Sequence, residues 1–501
     1  MTAYPHTDFD PFERSLSELA AALHTGRTSA QALASACLAR IDAFDRNGPA
    51  INAISGIHPT LMAEARALDD ERRTRGPRSA LHGMPMVVKD NIDTVGMPTT
   101  AGCAALAQAF PHADAACVAR LRAAGAFVLA KANMSELAAS NGRFGYSSAS
   151  GLTLNPYRLS RNASGSSSGT GAAVAASFAA FGLGTDSFGS VRGPACVHAL
   201  AGLRPTHGLL DNTGVLPLAS AFDTVGPMGR YVADIELVMD VLAPGHGFGA
   251  QPATLASRRV AVVVNLGGGN AEVDALFAQA VTAMQAAGAA TCEVRLPNAL
   301  LCLYADLLGE MTRSQWAREL DRYLMHGPEH SPRSATELVA RIDAAATAAA
   351  SAHPTNPLTL AALRHAVATR DQPAGTDAAA LQRVRHVVEG IFAMHEADAL
   401  VFPTQACPAS PRFDMPDDPS FHCRAPQPLA AMHIASATGL PEVSVPMGFT
   451  AAGVPAGISW LGRAGTDAAL LAMAAAFEQV TRHRRPPTHT PAWRSAGQVR
   501  G

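Results

Sequence analysis

The sequence is poor in charge, aromatics and cysteine. Charged residues make up 16% of its 501 residues and aromatics 5%. Its 39 Lys+Arg nearly balance 41 Asp+Glu, leaving a net charge of −2. Binding a polyanion needs a clustered basic excess, so generic nucleic-acid binding is excluded. Arg482-His483-Arg484-Arg485 is the lone basic run. The eight cysteines are scattered and form no C-x-x-C. A secreted disulfide scaffold is shorter and denser in Cys, so reduced, mostly buried thiols are expected. Residues Met1 to Glu13 carry Asp8, Asp10 and Glu13 without an apolar stretch, which reads as no signal peptide. The longest small-apolar run, Gly171 to Gly184, is too short and too rich in Gly and Ala to span a membrane. The expectation is a soluble cytoplasmic protein.

What the chain does have is a hydrophobic content of 48%. That excludes global disorder. A chain of this length buries roughly three quarters of its surface on folding. Ser15 and Thr28/Ser29 are N-cap candidates for helices within 15–45, the last running Ala30 to Phe44. Met84 to Lys89 reads as a short buried strand ending at the polar turn Asp90-Asn91. Cys117 to Ala124 reads as a helix and Phe127 to Ala130 as a strand. Arg259 to Val264, Ala271 to Ala287 and Cys292 to Leu296 read as a βαβ piece. Residues 297–398 are Ala-rich and helical, an insertion or cap. Ala399 to Pro403 and Val443 to Pro446 read as strands, and Ala468 to Val480 as a helix. Alternating strands and helices predict one large α/β domain over 1–501, a mixed sheet covered by helices on both faces. Within it, 15–240 forms a core and 399–487 completes the sheet.

Between Asn141 and Gly171 nearly half the residues are Ser or Gly. Composition alone suggests a linker. This stretch opens into Ala172 to Ala180, a strong helix former, so its amides would face an anion at a helix N-terminus. A second Gly/Ser knot spans Gly182 to Gly193. Gly165-Ser166-Ser167-Ser168-Gly169 also matches G-x-S-x-G, the nucleophile elbow of α/β-hydrolases. That elbow needs a strand before the serine. The residues before it, Asn155 to Ser164, contain Pro and many polar side chains. His395-Glu396 begins H-E-x-x-H, but position 399 is Ala, and the histidines show no metal spacing. No metal or organic cofactor is implied.

Five motifs occur in a fixed order: Gly83-Met84-Pro85-Met86-Val87-Val88-Lys89-Asp90-Asn91-Ile92; Lys131-Ala132-Asn133-Met134-Ser135-Glu136-Leu137; the Gly165 to Ala175 run; Gly184-Thr185-Asp186-Ser187-Phe188-Gly189-Ser190-Val191-Arg192-Gly193-Pro194-Ala195; and Gly202-Leu203-Arg204-Pro205-Thr206-His207-Gly208. Together they resemble the amidase signature family, whose catalytic unit is Ser–cis-Ser–Lys. The resemblance runs from about residue 15 to about 487, interrupted near 300–400. Asn155-Pro156-Tyr157-Arg158 and the segment from Val445 to Pro487 are similar to the peptide-amidase-like branch.

The resemblance implies that Ser190 is the nucleophile, Ser166 the bridging cis-serine after Gly165, and Lys89 the base. The 24-residue spacing of the two serines fits the family. Physical chemistry supports these roles. A serine hydroxyl needs a base to become a nucleophile. A lysine acts as that base only when neutral, which requires its pKa to fall by roughly 3 units through burial away from carboxylates. Strand alternation should turn Asp90 away from Lys89. Ser166 can donate and accept at once, as a proton relay must. Backbone amides of Ser187, Phe188, Gly189 and Ser190 would form the oxyanion hole. Many relatives carry Gly where Phe188 stands. Leu137, Ser167, Asp186 and Arg192 are supporting or substrate-contacting candidates. For Arg192 two readings stand, a tie to Asp186 or a partner for a substrate carboxylate. The implied activity is hydrolysis of a linear amide other than a peptide bond through an acyl-enzyme. Its partner is a small-molecule amide, with no nucleic acid or membrane, and a homodimer is common in such folds. Two alternatives are a glutaminase subunit of a tRNA-dependent amidotransferase and a catalytically silent binding or receptor protein.

Overall fold

The computed structural model describes residues 9–328, 330–347, 352–372, 378–416 and 418–492. Most of the N-terminal segment read for a leader therefore lies outside the described residues. The strands are β1 Ile54–Ile57, β2 Pro85–Lys89, β3 Phe127–Ala132, β4 Tyr146–Ser147, β5 Gly151–Leu152, β6 Phe181–Asp186, β7 Ala201–Arg204, β8 Thr224–Gly229, β9 Arg259–Val263, β10 Ala290–Val294, β11 Ala399–Pro403, β12 Glu442–Phe449 and β13 Pro455–Leu461. Eleven of them make one sheet in the order β1-β3-β2-β6-β8-β7-β12-β13-β11-β9-β10, and β4-β5 form a separate ribbon. The sheet has two parallel blocks, β3-β2-β6 and β11-β9-β10. Antiparallel pairing through β8, β7, β12 and β13 joins them.

Of the parallel strands, β2, β3, β6 and β11 are buried throughout and β9 beyond its first residue, as strands covered on both faces are, whereas the edge strand β10 is largely exposed. Along β2, Met86 and Val88 enter one core while Val87 enters another. Along β9, Val260 and Val262 separate from Ala261 and Val263 in the same way. The mixed sheet covered on both faces is therefore as expected, and the parallel β9–β10 pair flanks the helix Ala271–Ala286 as the βαβ reading required.

Local signals placed several helices correctly. Ser15 caps Leu16–His24 through a capping box with Glu18, and Ser29 caps Ala30–Arg40. The second helix ends earlier than expected, because Ile41–Arg46 winds more widely as a π-helix. The Gly182 to Gly193 knot is half strand. Gly182 and Gly184 belong to β6, where a Cβ would press on Thr170 at 2.5 Å and on Ser167 Oγ at 2.7 Å. Those glycines are packing requirements. The expectation of reduced thiols is corrected at one place. Cys407 and Cys423 form a disulfide, with Cα atoms 5.5 Å apart. Their loop folds back on itself, which a separation of 16 residues does not announce. The other six cysteines are free.

Among the described residues no helix is long and apolar enough to cross a membrane, and no cluster of His, Cys, Asp or Glu is placed to hold a metal ion.

Candidate active site

Lys89 closes β2, and its side chain is fully buried. The Nζ donates to Thr185 Oγ1 at 2.7 Å, to Ser166 Oγ at 2.8 Å and to the Thr185 carbonyl at 3.3 Å. No carboxylate lies within ion-pair distance of it among the described residues. Burial pulls its pKa down to about 7, against the weaker opposing pull of Asp186 and Asp223. Asp90 turns away, as alternation requires, and meets Lys131 and Thr100.

Ser166 follows a cis peptide bond with Gly165. A Cβ on Gly165 would collide with Ser135 Oγ and stand 2.7 Å from Ser140 Oγ. Ser135 N–H donates to the Ser166 carbonyl at 3.0 Å. The helix Ser168–Ala175 starts two residues later, so the serine run does open into a helix, which ends five residues short of the expected Ala180. The Ser167 side chain is fully buried. Its hydroxyl donates to the Thr185 carbonyl at 3.2 Å and accepts from Thr185 N–H at 3.3 Å, which ties the serine run to β6.

Ser190 lies on the loop between β6 and the helix Arg192–Val197 and is half-buried. Ser167 N–H donates to its carbonyl at 3.2 Å, bringing it beside Ser166. Its hydroxyl has no hydrogen-bond partner among the described residues. Asp186 shapes the loop. Its carboxylate accepts from Gly189 N–H at 2.8 Å and Val191 N–H at 3.0 Å. The Gly189 amide is therefore committed. Those of Ser187, Phe188 and Ser190 have no acceptor among the described residues.

Arg192 is fully buried, and every arm of its guanidinium is spent. It reaches Asp186 at 2.8 and 3.0 Å, Glu442 at 2.5 Å and Ser436 at 3.4 Å. Of its two readings, the structural tie describes it. Arg204 joins the network through the Asp186 carbonyl at 2.5 Å. Burial alone would raise the Asp186 pKa, but Arg192 and Arg204 outweigh it and hold the carboxyl well below its usual range.

Leu137 is fully buried beside Met134 and Trp316, with φ of 52° and its N–H on the Ala101 carbonyl at 2.7 Å. Phe188 packs its ring 5.3 Å from both Phe222 and Tyr304, and Tyr304 stacks on His433 at 5.3 Å. Tyr304 belongs to the 297–398 segment, so that segment reaches the residue two before Ser190.

Sequence reasoning assigned no role to Thr185, Asn91 or Asp223. Asn91 Nδ2 donates to Thr185 Oγ1 at 3.2 Å, and Asp223 accepts from Ser187 Oγ. Thr185 stood inside a quoted motif, and its place one pleat from Asp186 was the available signal.

The Amidase family model matches residues 32–471. The chain belongs to the amidase family. This amidase is 35% identical to a glutamyl-tRNA(Gln) amidotransferase subunit of Symbiobacterium thermophilum, over 91% of the chain and 95% of the relative. It is 34% identical to the protein of the same name from Deinococcus deserti, over 92% and 95%. Its structure superposes on the native peptide amidase of Stenotrophomonas maltophilia with a TM-score of 0.85 and 33% identity, covering 95% of this chain and 99% of that one. The fold is thus the amidase signature fold, and the family supports an amidohydrolase.

Proposed function

We propose that the protein hydrolyses a linear carboxamide through an acyl-enzyme on Ser190, with Ser166 as relay and Lys89 as base. The observation that carries this reading is the environment of Lys89. An amine buried among hydroxyls, with a pKa near 7, is poised to take a proton at neutral pH.

In the first half-reaction, neutral Lys89 takes the Ser166 proton while Ser166 takes that of Ser190. Ser190 Oγ bonds to the substrate carbonyl carbon, and the π pair moves to oxygen. The amides of Ser187, Phe188 and Ser190 receive the oxyanion, each such donor lowering the barrier by about 3 kcal/mol. The Lys89 ammonium returns its proton through Ser166 to the departing nitrogen, and the C–N bond breaks. Water then repeats the attack on the ester, releases the carboxylate and restores Ser190. A base held neutral makes kcat/KM rise as pH passes about 7 and level off above it.

The test is labelling with a fluorophosphonate, read by intact mass on wild type, Ser190→Ala and Lys89→Ala. One adduct on wild type, absent from Ser190→Ala, is expected. An adduct mapped to Ser167, or none on folded wild type, overturns the reading.

A second reading is the glutaminase part of an amidotransferase. It is supported by the 35% identity to the Symbiobacterium thermophilum protein over 91% of the chain. Turnover of simple carboxamides by the isolated chain favours the first reading. Glutamine hydrolysis that appears only with added partner proteins favours the second.

A further inference from the structure

Three residues beyond Ser190, Gly193 occupies the first turn of the helix Arg192–Val197. A Cβ there would stand 2.7 Å from Ser164 Oγ and 3.4 Å from both Gln405 Nε2 and Met432 Sδ. Ser164 and Gln405 are 5% and 8% exposed. Neither side chain has a hydrogen-bond partner among the described residues, although both backbones are pinned. Ser164 N–H donates to Asn162 Oδ1 at 2.7 Å, and its carbonyl accepts from Ser168 Oγ at 2.5 Å. Its φ of 54° is left-handed, which a serine adopts only where its surroundings fix it. On either side of Gln405, Thr404 N–H reaches the Gly457 carbonyl at 2.9 Å and Ala406 N–H the Pro428 carbonyl at 3.0 Å. Asn162 also donates to Ser410, binding the serine loop to the loop that carries Gln405.

Unpaired buried polar groups are costly and therefore uncommon. Here two side chains more than nine-tenths buried, without protein partners among the described residues, lie against Gly193, three residues from Ser190. Neither is among the polar atoms sealed from solvent without a partner, so a polar group from solvent can still reach them. Arg192, which precedes Gly193, is already paired with Asp186 and Glu442, and Arg204 with Asp186. Ser164 and Gln405 themselves offer neutral donors and acceptors. A carboxamide and a hydroxyl together match a group that both donates and accepts.

We infer that Ser164 and Gln405 form a substrate subsite that holds an uncharged donor–acceptor group, of the carboxamide kind, next to the bond that Ser190 attacks. This rests on the acyl-enzyme reading above. Gln405 is then a specificity-determining residue. Its carboxamide would pair head to tail with the substrate group, and Ser164 would supply a third hydrogen bond.

The experiment uses two sets of amides. In each set the group beside the scissile bond is an amide, its ester isostere, a methylene or an ammonium. One set varies the acyl part and the other the amine part. Wild type is expected to favour the amide over its methylene analogue by roughly 100-fold or more in kcat/KM in one set, since sites built for hydrogen bonds reject analogues lacking them strongly. Gln405→Leu should bring that ratio within about tenfold, mostly through KM, leaving the methylene substrate nearly as good as before. Gln405→Glu keeps size and shape, guards against misfolding, and should shift the preference toward the ammonium analogue. Equal losses on every analogue, or ratios preserved in both variants, overturn the subsite while Ser190-dependent turnover stands. Absence of Ser190-dependent turnover in wild type overturns the acyl-enzyme reading and the subsite with it.

Discussion

Two lysines lie fully buried on neighbouring strands, and their surroundings send them to different fates. Lys89 ends β2, while Lys131 sits in β3 opposite Val88, so the pleat points them to opposite faces. Lys131 has a carboxylate: its Nζ is 3.5 Å from Asp90, and it also donates to the Ile92 carbonyl at 2.5 Å. Burial pulls its pKa down, and Asp90 and Asp93 pull it back. We read Lys131 as the cationic half of an ion pair. Lys89 meets two hydroxyls and a carbonyl, with no carboxylate in contact; the pull of Asp186 and Asp223 is too weak to offset its lost hydration, and its pKa falls to about 7. Burial alone therefore makes neither a base nor a structural cation. The partner decides.

The strongest way to break this contrast is Lys89→Met. Loss of a general base costs roughly 10²–10⁴-fold in rate, so kcat/KM should fall by that factor. The same change should stabilise the fold. Lowering a lysine pKa from 10.5 to about 7 costs about 5 kcal/mol, part of which Met removes. Between about pH 7 and pH 10.5 the unfolded chain holds the Lys89 proton more tightly than the folded one, so wild-type stability rises with pH across that window. The advantage of Lys89→Met, followed by urea unfolding, is thus greatest below about pH 7 and fades toward pH 10.5.

Lys131→Met should do the reverse. It leaves Asp90 buried without its cation, a loss of roughly 3–5 kcal/mol in unfolding free energy, while each molecule still folded keeps a reactive Ser190. Urea unfolding and the Ser190 labelling rate separate the two effects. The smallest expected change comes from Thr185→Val. Removing an oxygen that accepts from the Lys89 ammonium favours the neutral amine, so the rise in kcat/KM should move about one pH unit lower. A pH profile measured on wild type and variant shows it.

The contrast was half legible in the sequence. An apolar run ending in Lys89 gave both burial and orientation, and alternation gave the turning away of Asp90. Ser166 and Ser190 were legible only as parts of an ordered set of motifs, since a Ser/Gly stretch by itself reads as loop. The Gly182 to Gly193 knot was uninformative, because Gly182 and Gly184 serve close packing against Thr170 and Ser167, which local sequence does not encode. Glu442, Asp223 and Gln405 were illegible for a related reason. Their roles come from sheet order, which places β12 beside β7 and folds a late loop back on an early one. Cys407 and Cys423 meet for a local reason, the fold-back of the loop between β11 and β12.

The Arg192–Glu442 tie also carries a consequence for how the protein comes into being on the ribosome. Lys89, Ser166 and Ser190 are all made in the first half of the chain, yet the loop that presents Ser190 is anchored through Arg192 to a strand near its end. Until Glu442 emerges, Arg192 lacks its second carboxylate and β7 lacks the neighbour that flanks it. A nascent chain halted before residue 442 thus holds every proposed catalytic side chain but not the frame that aligns them. The seating of the Ser190 loop thus depends on a carboxylate made 250 residues after Arg192.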